Sequence, residues 1–221
     1  MLRLAVMFMF CAATMASAGA WPRDKGAGFL ASSTQISGFG QGCRIEALSI
    51  FNNLYLEYGL TRSLTLGLDI GQSVGDDPNY RLFLRAPVIH RQGKYLSLEA
   101  SLGQVGDLSY TALGLSFGRG FTLGAASGWF GLDTRRVQAE GPGAEYLRQS
   151  KVDVTAGLTF PGGVKAMAQV FHTRVGETLY TSLAPSVVVP LGKRSHLQGG
   201  LLFDLQSPAL PGVKLGLWQE F

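Results

Sequence analysis

The feature that most limits what this chain can become is a two-residue rhythm of apolar side chains, sustained from about Gly26 to the C-terminus. In the last nine residues, Val213, Leu215, Leu217 and Phe221 fall on one face of an extended strand, while Lys214, Gly216, Trp218 and Glu220 fall on the other. Leu64, Leu66, Leu68 and Ile70 alternate in the same way with Thr65, Gly67, Asp69 and Gly71. So do Leu96, Leu98, Ala100 and Leu102 with Ser97, Glu99, Ser101 and Gly103. This periodicity predicts strands and argues against helices. Although 46% of residues are apolar, no stretch beyond the first twenty residues approaches the ~18 consecutive apolar residues of a membrane helix.

The face opposite the leucines is not a charged, watery face. It is built largely of Gly, Ser and Thr with an occasional acid or base, and the 30 glycines far exceed the usual ~7%. Gly weakens an ordinary strand, so its abundance points to strong curvature or a crowded interior. Strand segments separated by turn residues number about twelve, with ten or eight as alternatives. Thr61–Ser63, His90–Lys94, Gly118–Gly120, Pro161–Gly163 and Gly192–Ser195 are expected as short turns at one end. The connections at the other end, including 38–46 and 138–149, are longer on average. WPRDKGAGF, from Trp21, reads as a short exposed lead-in.

The chain opens MLRLAVMFMFCAATMASAGA, with Arg3 ahead of an apolar run from Leu4 to about Ala13 and then small residues. This is the pattern of a cleaved secretory signal over residues 1–20, with cuts expected after Ala18 or Ala20. The apolar run is short against the ~20 residues of a spanning helix, and Phe10 before Cys11 argues against a lipidated cysteine. Residues 21–221 form one domain. Only Cys43 then remains, which excludes an intramolecular disulfide, and we assign it no chemistry. Three scattered histidines without CxxC or HExxH spacing give no expectation of a metal or a cofactor. A net charge of +4, or +3 without Arg3, is too diffuse to indicate nucleic acid.

An outward row of Leu, Val, Ile and Phe over strands of ~9–11 residues is what a transmembrane barrel requires. In hydrocarbon every backbone polar group must be paired, and among β structures only a closed barrel achieves that. Tyr58, Tyr95, Phe117, Phe121, Phe160 and Phe221 suit aromatic girdles at the interfaces. An even strand number places both termini on one, periplasmic, side. The competing fold is a soluble periplasmic β-barrel or sandwich.

GAWPRDKGAGF, LEYGLTRSLTLGLDIG and VKLGLWQEF resemble segments of small outer-membrane β-barrel proteins of Gram-negative proteobacteria. More distantly, the chain is similar to the outer-membrane family labelled for a meta-pathway of phenol degradation. The resemblance implies an all-β antiparallel transmembrane barrel in the bacterial outer membrane, with lipid, lipopolysaccharide and the barrel-assembly machinery as partners and Phe221 as the handle for that machinery. It supplies no catalytic residue. From strand parity, Asp69, Arg85 and Glu99 should point into the lumen at comparable heights, with Arg85 flanked by the two carboxylates. Asp204 and Lys214 form a second candidate pair across the last hairpin. Such charges would line a passive channel for small polar or charged solutes, or would neutralise one another in a closed structural barrel. His90, His172 and His196 have no nucleophile and acid brought to them by sequence, so an enzyme is not expected.

Overall fold

The computed structural model describes residues 19–38, 48–140, 146–206 and 210–221. The Cys43 reading lies outside them. Twelve strands, β1 (Gly28–Ser37), β2 (Ser49–Thr61), β3 (Leu64–Ser73), β4 (Asn79–Arg91), β5 (Lys94–Val105), β6 (Leu108–Leu123), β7 (Ala126–Glu140), β8 (Tyr146–Thr159), β9 (Lys165–Val175), β10 (Thr178–Pro190), β11 (Ser195–Asp204) and β12 (Gly212–Glu220), close into one antiparallel barrel. Each strand pairs with its sequence neighbours, and β1 pairs with β12 from Phe29↔Glu220 to Ile36↔Val213. Closure leaves no free sheet edge. Gly28 and Phe221 exchange both backbone hydrogen bonds, at 2.7 and 3.0 Å, so the strand-bearing termini meet at one end of the barrel. We call this the termini end and the other the loop end.

The alternation sets the two faces as expected. Leu98, Leu102, Leu113 and Leu215 are 54%, 59%, 71% and 57% exposed on the outside, while their strand neighbours turn inward. The glycine surplus is explained by the interior. Gly67 lies directly across from Phe83, and Gly157 from Trp129. A side chain added at either glycine would collide with the facing ring. The aromatic thus lies over the bare backbone of its neighbour, and bulk fills the lumen without widening the wall.

Three expectations need correction. Gly118–Gly120 is not a turn: β6 runs through it to Leu123, and the chain reverses at Gly124, whose φ of 58° suits glycine. Gly118 instead leaves space for Ala20 and Trp21. The polar stretch 138–149 is mostly strand, because β7 and β8 extend beyond the greasy outer belt. There Val137 and Ala139 turn inward and Arg136 and Gln138 outward, the reverse of the pattern lower down. The lead-in is not exposed either. Ala20 is 1% exposed, Trp21 sits 5.8 Å from Tyr95, and Gly26 and Gly59 bond β2 to the segment through Gly26 N–H to Gly59 O and Gly59 N–H to Ala27 O. Tyr95 therefore belongs to this inner contact and not to an outer girdle.

Candidate functional site: the charged lumen

Strands β2 to β5 direct a chain of alternating charges into the lumen. Glu57, 0% exposed, accepts from Arg23 Nε at 2.6 Å, from Arg85 Nη1 at 2.5 Å and from the Tyr55 hydroxyl at 2.5 Å. Arg85 Nη2 donates to Glu99 at 2.8 Å, and Glu99 also takes Arg81 Nη1 at 2.7 Å and Arg135 Nε at 3.3 Å. Arg81 continues to Asp69 through Nη2 at 2.9 Å, and Asn53 Nδ2 holds the same carboxylate at 2.7 Å. Each carboxylate thus meets a cation, the condition under which buried charge is tolerable.

The aromatic Phe83, 1% exposed, keeps the two central arginines in place. It lies between them on β4, with the Arg81 and Arg85 guanidinium carbons 4.6 and 4.9 Å from its ring centroid and Tyr55 stacked at 5.8 Å. Guanidinium over an aromatic face contributes on the order of 0.5–2 kcal/mol per contact. The spacing Arg81-Phe83-Arg85 is a direct product of the two-residue period, which points all three side chains inward.

Across the lumen the wall changes character. Phe29, Trp129, Met167, Val188 and Trp218 form a buried apolar cluster from β1, β7, β9, β10 and β12. The indole of Trp218 donates to Gln198 at 3.1 Å, and Gln198 donates to Ser186 at 3.1 Å, so the polar atoms there are paired. Together, the charged side and the apolar side wall the termini half. The cavity they border, of about 730 Å³, reaches down to Phe29, Trp218 and Arg85 and is lined toward the loop end by Phe51, Tyr80 and Val175 and at its waist by Arg81, Arg135, Lys151 and Asp153.

The structure places Arg85 and Glu99 side by side, opposite one another on β4 and β5. Asp69 is not beside Arg85; it faces Arg81, and Glu57 is the second carboxylate on Arg85. The reason is stagger. Beyond the Thr65↔Arg85 pair, β4 continues to Arg91 with a bulge at Pro87–Ile89, whereas β3 has only Leu64 before its turn. Equal residue counts from the turns therefore do not mean equal heights in a sheared barrel. Lys214 points inward and lines the cavity, opposite Gly200. Asp204 lies four positions farther along β11, roughly 13 Å at ~3.3 Å per residue, and its carboxylate accepts from Gln206 N–H. The two are not brought together. Phe221 closes the β1 seam over Gly28.

Sequence reasoning did not pick out Arg23, Glu57, Arg81 and Arg135. Parity already turned Glu57 and Arg81 inward, but their partners depend on register. The histidines are scattered: His90 stacks on Tyr95 at 4.2 Å, His172 shares a hydrogen bond with Thr181, and His196 lies near the termini end. Among the described residues no group of three or more His, Cys, Asp or Glu is placed to hold a metal ion.

No protein-family model matches the chain, and no curated protein does. Solved structures do. The KdgM porin aligns over 87% of this chain and 99% of its own, with a TM-score of 0.66 and 7% identity. The NanC porin aligns over 86% and 98%, with a TM-score of 0.65 and 5% identity. An outer membrane channel from Pseudomonas putida aligns over 92% and 97%, with a TM-score of 0.55 and 16% identity. The fold is that of outer-membrane porins and channels. At these identities the likeness is one of architecture, and the lumen of this chain has to be read from its own side chains.

Proposed function

We propose that this chain is a bacterial outer-membrane barrel, its termini on the periplasmic side, that passes small polar or charged solutes by passive diffusion. The observation that carries the reading is the cavity of about 730 Å³ lined by charges of both signs, from Asp69, Arg81, Arg85, Arg135, Lys151 and Asp153. Opposed charges across a narrow lumen create a transverse field, which favours polar solutes over apolar ones. The outward Leu and Val rows and the fully closed sheet support a lipid setting. A porin of this fold, KdgM, has been solved in complex with disordered oligogalacturonate, which supports a polar solute. Lipid and lipopolysaccharide surround the barrel in this reading. Phe221 serves as the handle for the assembly machinery, so its deletion lowers membrane insertion and leaves the lumen charges in place. The chain performs no catalysis.

Planar-bilayer recording of the refolded protein tests the reading. Small conductance steps are expected, with altered ion selectivity in Arg85→Ala. Electrically silent barrels, verified as folded by their heat-modifiable migration, would overturn it. Silence would favour a closed structural barrel, a reading supported by the apolar packing of Phe29, Trp129, Val188 and Trp218.

A further inference from the structure

The termini half is filled partly by a segment that belongs to no strand. Residues 19–27 enter the lumen and are held at successive points. Ser97 donates to the Ala20 carbonyl at 2.7 Å, Arg23 N–H donates to Thr65 Oγ1 at 3.2 Å, and the Arg23 side chain reaches Glu57. The innermost described residue, Gly19, lines the cavity. Its backbone lies against the Asp133 carboxylate so closely that an added Cβ would be 2.8 Å from both carboxylate oxygens. The Gly19 nitrogen is one bond, ~1.46 Å, from the Gly19 Cα that would carry this Cβ.

Asp133 has charge to neutralise. Among the described residues no ion pair reaches it, since the neighbouring Arg135 is engaged by Glu99. Asp153 stands directly opposite it on β8, and Asp153 Oδ1 is buried without a hydrogen-bond partner. Two like charges facing one another across strands are destabilising unless a cation lies near. The sequence just before Gly19 is Ala16-Ser17-Ala18, a small-residue leader-peptidase pattern.

We propose that leader removal cuts the Ala18–Gly19 bond and that the new Gly19 ammonium docks on Asp133, pinning residues 19–27 against the inner wall of the barrel. Water is the co-reactant: its hydroxyl goes to the Ala18 carbonyl carbon as the C–N bond breaks. Gly19 leaves as an amine and takes up protons to become the ammonium, the ordinary state of an α-amino group at neutral pH. Cleavage after Ala20 would discard two residues that the barrel wall is shaped to receive. Gly118 leaves the space that Ala20 and Trp21 occupy, and Ser97 spends its hydroxyl on Ala20. The inference rests on the leader, not on conduction, so silent bilayers would leave it standing.

The test uses full-length protein expressed with its leader and purified from outer membranes. Intact mass and N-terminal sequencing should give a chain starting at Gly19; a start at Trp21, or a retained leader, overturns the proposal. An α-amine-selective aldehyde then probes docking at neutral pH. Gly19 should react at least tenfold more slowly in the folded barrel than in the urea-unfolded chain. Asp133→Asn should recover most of that rate and Asp133→Glu should not. Equal rates in folded and unfolded wild type, or protection unchanged by Asp133→Asn, overturn the docking. The wild-type comparison decides alone if Asp133→Asn does not fold.

Discussion

The two halves of this barrel are built from the same strands and differ in how they use the inward face. In the termini half, carboxylates and guanidinium groups are paired one to another, aromatics lie over glycines, and the N-terminal segment is bonded to the inner wall. In the loop half, the inward charges of Lys151 and Lys214 line open space. Strand closure sets the wall of both halves. What separates a closely paired interior from an open one is the side chains placed on it.

Substitutions in the two halves should therefore separate stability from selectivity. The largest effect is expected for Glu57→Gln, which leaves Arg23 and Arg85 facing a neutral group in a buried site. A loss of about 3–5 kcal/mol, the usual result of breaking a buried pair, should appear in urea unfolding of the vesicle-inserted protein followed by tryptophan fluorescence. Gly67→Leu comes next. The new side chain occupies the place of the Phe83 ring, and overpacking of this kind costs about 1–3 kcal/mol. Arg135→Gln removes one contact of 3.3 Å from a Glu99 that keeps Arg81 and Arg85. Roughly 1 kcal/mol is expected from one such hydrogen bond, together with a measurable change in ion selectivity. Smallest in stability is Lys151→Gln in the open half, within about 0.5 kcal/mol, while bilayer recordings shift toward cations. If Lys151→Gln destabilised the barrel as much as Glu57→Gln, the division into two halves would not stand.

Which parts of this arrangement can be read from the chain follows from the period of a strand. Alternation alone turns Arg85, Glu99, Asp69 and Lys214 inward, and it marks twelve segments whose closing member pairs with the first. It cannot say that Asp69 meets Arg81, because that depends on the stagger between β3 and β4 and on a bulge near Pro87. Gly118 reads as a turn residue because glycine serves both turns and close approach, and only the position of Trp21 tells which one applies. The lead-in reads as exposed for a similar reason. Pro22, Arg23 and Asp24 are surface residues by composition, and nothing local reveals that Glu57 waits inside for Arg23.

The β1–β12 seam also has a meaning in time. Every other pairing joins neighbours in sequence, whereas Phe29 must find Glu220 across nearly the whole chain. Contacts between distant residues carry the largest entropy of closure, so this seam is expected to zip last. Before it does, the sheet is open and the lumen can be reached from the side. That interval is when the segment bonded to Gly59 has free passage to its place. Once Phe221 and Gly28 join, the same segment is enclosed, and the order of assembly is locked into the finished wall.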